Sequence, residues 1–190
     1  MNITRRAMLE NISLASAACA LGAPRLAAAA TAATSGHEAD WSWLEGNWDV
    51  YHERLRDRLV GSTTWDKFDG KSSFWHTLGG LGNVDDDLLH LPTGTYRAFS
   101  ARTFDPATNQ WAIWWLDGRN PHHIDPPVIG GFEDGVGTFV GEDTFNGIPI
   151  LVRFRWSDIT ATTCRWEQAF STDQGETWEV NWVMESTRIS

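Results

Sequence analysis

From Trp48 onward the chain never sustains a helical repeat, and this restricts its fold more than any other feature. Apolar and β-branched residues instead recur at alternate positions in short runs, each cut off by Gly, Pro, Asp or Asn. The alternation is cleanest near the C-terminus. Ile148, Ile150, Val152, Phe154 and Trp156 share one face there, and Trp178, Val180, Trp182 and Met184 oppose Glu179, Asn181, Val183 and Glu185. The pattern predicts strands over 48–55, 60–68, 72–78, 83–91, 95–104, 110–116, 128–132, 137–145, 148–156, 163–170 and 179–187. Asp69-Gly70, Asp105-Pro106, Asn146-Gly147 and Asp173-Gln174-Gly175 supply turn chemistry between them. Short links make sequential strands pair in an up-and-down meander. A sheet of ten or so strands curls, and closing it removes both edges. The expected fold is an all-β antiparallel barrel of about ten strands, with a short helix over 38–44 at its N-terminal end.

The first thirty residues differ from the rest. Arg5-Arg6 precedes an apolar stretch over 12–21 and then a small-residue region, Ala27-Ala28-Ala29-Ala30. This is the layout of a twin-arginine export signal, with cleavage between Ala28 and Ala33. The apolar stretch is shorter than the roughly 20 residues that a membrane span requires. Residues 1–30 are therefore expected to be a signal peptide, 31–39 a flexible lead-in and 40–190 a single barrel domain, periplasmic or secreted through the Tat route. No membrane association is expected after cleavage.

The chain has 15 basic and 25 acidic residues, a formal net charge of −10. Removing Arg5, Arg6, Arg25 and Glu10 with the leader makes the balance more acidic still. Such a surface repels phosphate backbones, so no nucleic-acid partner is expected. Cys19 would leave with the leader, and Cys164 alone cannot form an internal bridge. Its alternation with Trp166 reads as buried filler.

Two stretches carry resemblances. Trp43-Leu44-Glu45-Gly46-Asn47-Trp48-Asp49-Val50, Arg102-Thr103-Phe104-Asp105-Pro106 and Trp166-Glu167-Gln168-Ala169-Phe170-Ser171 together resemble lipocalin-like, or calycin, barrels. More closely, they resemble a bacterial family of unknown function assigned that fold. The resemblance spans about residues 40 to 188 and implies a barrel with a ligand-sized interior. It carries over no catalytic residues. Haem-binding nitrobindin-type barrels resemble the chain in their Gly-x-Trp opening. They use a C-terminal histidine as iron ligand, however, and no histidine follows His123, so no cofactor is expected. Ser171-Thr172-Asp173-Gln174-Gly175-Glu176-Thr177-Trp178 is similar to the Asp-box hairpin. That motif is structural, and a single copy cannot make a propeller.

All twelve tryptophans lie after residue 40. Many must fill core, but indoles also line pockets for flat or apolar ligands. Trp111, Trp114 and Trp115 are the expected pocket wall, with Arg102, His52 and Arg119 as polar ligand contacts. His122 and His123 in the Pro-bounded 120–127 loop, and Asp117 beside it, are candidates for acid–base chemistry. Adjacent residues of an extended chain point opposite ways, so His122 and His123 do not make a joint metal site, and none is expected. Nucleophile elbows, phosphate loops and Cys-x-x-Cys pairs are absent. The sequence thus points to an exported barrel that binds a small, partly apolar or aromatic molecule in a Trp-lined cavity, as a monomer or homodimer. The alternative is a cofactor-independent isomerase, cyclase or lyase acting in the same cavity.

Overall fold

A computed structural model describes residues 39–189. The expected signal peptide and all but the last residue of the lead-in lie outside that range. Ten strands follow in order: β1 (Gly46–Leu55), β2 (Trp65–Thr77), β3 (Gly82–Leu91), β4 (Gly94–Asp105), β5 (Gln110–Asp117), β6 (Val128–Glu133), β7 (Val136–Phe145), β8 (Ile148–Ser157), β9 (Thr163–Ser171) and β10 (Glu179–Arg188). Each pairs antiparallel with its sequence neighbours. β1 also pairs with β10, from Trp48↔Arg188 to Arg54↔Trp182, which closes the barrel.

One end of the barrel, the floor, carries residues 39–45 and the 78–81, 106–109, 134–135 and 158–162 links. The other end, the mouth, carries the 56–64, 92–93, 118–127, 146–147 and 172–178 links. The seam between β5 and β6 is short, running from Trp111↔Gly130 to Ile113↔Val128. Above it β5 continues without β6, and the 118–127 loop takes over, with the Asp125 amide donating to Trp115 O at 2.9 Å.

Three local expectations are corrected. The segments at 60–68 and 72–78 form one strand, β2, because Asp69-Gly70 is not a turn. Gly70 faces the interior, where a Cβ would stand 2.6 Å from His52 Nε2 and 2.7 Å from Leu88 O. Glycine is there for close approach rather than for reversal. The helix at 38–44 reduces to a 3-10 turn, Ser42–Leu44, because Gly46 (φ 119°) starts a strand at once. In β10 the simple alternation breaks. Val180 pairs with Ala169 and Trp182 with Gln168, so Asn181 is an extra, bulged residue. Asn181 is fully buried and accepts from Gln168 Nε2 at 2.8 Å. The Asn146-Gly147 hairpin forms as expected, with both residues at positive φ (50° and 80°).

The core runs the length of the barrel, and its fully buried indoles, Trp41, Trp48 and Trp111, gather at the floor. Trp41 is fully buried and packs edge-on against Phe132 (4.9 Å), Trp156 (5.0 Å) and Trp111 (6.1 Å), and stacks with Phe139 (5.8 Å). Indole N–H groups pin its segment: Trp43 to Asp40 O, Trp48 to Leu44 O, and Trp111 to Asp40 Oδ2. Arg188 lies over the Trp48 ring at 4.2 Å and donates to Trp43 O and Glu45 O. The short segment before β1 is therefore a plug in the floor, held by strands from β5 to β10.

Candidate functional site

Above the plug the barrel encloses a cavity of about 390 Å³. Its volume lies toward the lower end of the range typical of small-molecule sites. The wall mixes indoles with charged and titratable groups, and it has three levels.

Deepest is Arg102, on β4 and 4% exposed. Its Nη2 donates to Asp85 Oδ2 at 2.6 Å and its Nη1 to Asn83 Oδ1 at 3.2 Å. The other Asp85 oxygen accepts the Ser100 amide at 2.8 Å. The guanidinium lies over the Trp41, Phe74 and Trp156 rings at 4.8, 5.6 and 5.7 Å. A buried charge needs this much company, since an unpaired one costs several kcal/mol.

The middle level holds Asp87 and His52. Asp87 is the next inward residue of β3 after Asp85. Burial first, and then the charge of Asp85, hold its carboxyl well above the usual range, with Ser72 and Arg102 opposing. Asp87 therefore keeps its proton into a range where an ordinary aspartate has lost it. His52 is stacked on Phe68 (centroids 4.6 Å apart, 10° between planes), and its Nδ1 accepts Trp182 Nε1–H at 3.2 Å. That bond fixes the neutral tautomer with the proton on Nε2. Burial, and secondarily Arg54, lowers the His52 pKa to about 3. Cys164 also faces this space, and burial raises its thiol to about 11, so it is no thiolate nucleophile.

At the mouth, Arg54 lies over Trp182 at 5.1 Å and Arg58 over Phe170 at 5.6 Å and Phe145 at 5.7 Å. Burial, then Arg54, lowers the Arg58 pKa to about 10. Arg119 covers the Tyr96 ring at 3.7 Å and grips Asp117, with Nη2 donating to Oδ2 at 2.5 Å. Burial pushes the Asp117 carboxyl up, but these bonds outweigh it and the net shift is downward. Burial, and then the charge of Asp143, raises Asp125.

Arg102, His52, Asp117, Arg119, Trp115 and His123 thus all line the cavity. Trp111 lies beneath it, in the floor packing. Trp114 alternates to the outer face of β5, outside the cavity wall. His122 is exposed in its loop and outside the wall. His123 is 62% exposed, with Nε2 3.5 Å from Asp125 Oδ1. Asp85, Asp87 and Arg58 were not singled out for the site from sequence, and Arg54 was read only as one of several charged strand residues expected mostly on the outer face. The first two share the parity of Leu89 and Leu91, which the strand pattern already places on one face. Arg58 sits in a loop, where no periodicity reports on direction.

The fold is a known one. The chain is similar to the solved structure of the S-type phycobiliprotein lyase CPES from Guillardia theta, with a TM-score of 0.55 over 80% of this chain and 92% of that one. Sequence identity is 8%, so the likeness is one of fold: a closed, calycin-like ten-strand barrel. No family model matches the chain, and no curated protein sequence matches it.

Proposed function

We propose that this protein is a small-molecule binding barrel that takes a partly apolar or aromatic ligand into the cavity. The observation that carries the reading is the cavity itself: about 390 Å³ inside a closed barrel, walled by Trp115, Trp166 and Trp182 beside fixed polar groups. A wall of this kind buries a flat molecule and orients it by few polar contacts. The phycobiliprotein lyase is consistent with the reading, as a barrel of the same architecture with a biochemical activity. The Arg5-Arg6 leader supports action outside the cytoplasm, after Tat export. The test is titration of tryptophan fluorescence with a panel of aromatic and aliphatic compounds, neutral and charged, alongside native mass spectrometry of protein purified from its own host. A saturable quench or a retained extra mass is expected. A flat response throughout, with a bare polypeptide mass, overturns the reading.

One observation favours the second reading, an isomerase, cyclase or lyase. Asp87 lines the cavity beside Asp85, and burial and that neighbour hold its carboxyl above the usual range, an arrangement suited to donating a proton inside the cavity. Asp87→Asn is then expected to abolish turnover of a bound compound while leaving its binding intact. Turnover unchanged in that variant overturns an acid role for Asp87.

A further inference from the structure

Among the arginines that line the cavity, two are satisfied and two are not. Arg102 is held by Asp85 and Arg119 by Asp117. Arg54 and Arg58 have no carboxylate within ion-pair reach among the described residues. Arg54 meets the Tyr96 hydroxyl and the Trp182 and Phe68 rings, with Asp117 acting on it only at longer range, and Arg58 lies on the Phe145 and Phe170 rings, with Glu179 acting on it only at longer range. The acid placed to neutralise Arg58 is otherwise engaged. Both oxygens of Glu179 accept the Leu59 amide, at 2.8 and 3.0 Å. That clamp fixes the 56–64 loop, in which Leu59 has φ 62°, and so sets Arg58 over the mouth. In a chain with 25 acidic residues against 15 basic ones, two neighbouring partly buried guanidiniums without a carboxylate are costly unless something else supplies the charge.

We propose that Arg54 and Arg58 form the anion-binding end of the ligand site, and that the ligand is an aromatic or apolar monocarboxylate. This deepens the binding reading and rests on it. The carboxylate sits at the mouth between the two guanidiniums, whose planar forks match its geometry. The apolar body points inward along Trp182 toward His52, which is neutral and adds no competing charge. A multiply charged phosphate is disfavoured. The cavity wall also carries Asp117, near Arg54, together with Asp125 and Asp143, and the whole chain is acidic, so each additional negative charge is repelled. Each guanidinium thus lies on two rings, Arg54 on Phe68 and Trp182 and Arg58 on Phe145 and Phe170.

The experiment uses the full chain and a matched probe pair, 2-naphthoate and 2-naphthamide, followed by tryptophan quenching. The two probes have nearly the same shape and differ in charge. Naphthoate is expected to bind about 10-fold more tightly, as charge-assisted hydrogen bonds to two arginines require. Arg54→Gln and Arg58→Gln are each expected to erase most of that preference without weakening naphthamide. Equal affinity of the two probes for the unmodified protein overturns the anion site and leaves the binding reading standing, and this comparison needs no variant to fold. Equal loss of both probes in the glutamine variants likewise overturns it, since that marks a packing role. Binding of neither probe up to its solubility limit overturns the anion site; the panel and the native mass then decide the binding reading.

Discussion

The floor and the mouth of this barrel are built from the same materials and put them to different use. Both set arginines on aromatic rings. At the floor, Arg102 is wrapped by Trp41, Phe74 and Trp156 and neutralised by Asp85, and the cluster is closed to solvent. At the mouth, Arg54 and Arg58 lie on Trp182, Phe145 and Phe170 with no carboxylate within ion-pair distance among the described residues. The comparison shows what converts an arginine from structural part to recognition element. Stacking on rings is common to all of these arginines, and the built-in ion pair, which Arg119 at the mouth also has in Asp117, is what Arg54 and Arg58 lack.

The difference can be broken by experiment. The largest effect is expected from Trp41→Ala, which empties the plug and should cost about 5 kcal/mol in urea unfolding. A loss under about 1 kcal/mol would mean that the floor is not part of the core. Next, Asp85→Asn strips the buried Arg102 of its charge partner and should cost about 4 kcal/mol, whereas the joint change Arg102→Met with Asp85→Leu should cost much less. A double variant as unstable as the single one would show that the pair contributes more than mutual neutralisation.

The pH dependence tests the level between the two ends. His52 has a folded-state pKa of about 3 against 6.5 unfolded, so the unfolded chain binds more protons between those values. The stability that His52 contributes is full above about pH 6.5 and is lost as pH falls toward 3, by roughly 5 kcal/mol in all. Asp87 has the opposite sign. Its folded pKa is raised above 3.8, so its contribution is present at low pH and lost as pH climbs through the folded value. Thermal melts across pH should show His52→Gln flattening the acid limb and Asp87→Asn flattening the upper one. An acid limb unchanged in His52→Gln would assign it to other groups. The smallest effect is expected at the mouth. Arg119→Ala removes an ion pair whose side chains are 51% and 28% exposed, and should cost less than about 1 kcal/mol in the same unfolding assay. A cost near that of Asp85→Asn would erase the distinction between the ends.

How much of this was readable in the residues depends on what each residue answers to. Strand positions answer to a period of two, so β7, β8 and β9 were legible almost to their ends, and the inward direction of Arg102 could be anticipated. Gly70 answers to a ring on another strand. Its role as space for His52 cannot be seen in Asp69-Gly70, which reads locally as a turn. Asp85-Asp86-Asp87 reads as a solvated acidic run. Only its parity with Leu89 and Leu91 separates the two inward carboxyls from the outward Asp86, which pairs with Arg97. Asn181 shows the limit of counting by twos, because a bulge shifts the parity where it occurs. Arg58 depends on a loop clamped by Glu179, a contact between residues 120 positions apart.

The plug also says something about time. Trp41 precedes every strand, yet the surfaces that receive it belong to Trp111, Phe132, Phe139 and Trp156. Its socket does not exist until β8 is in place, and Arg188, which ties the plug down, is in the last strand. The residue synthesised early is thus seated late. Contacts of such long sequence separation slow folding, and those that seat Trp41 on Trp111, Phe132, Phe139 and Trp156 are of this kind.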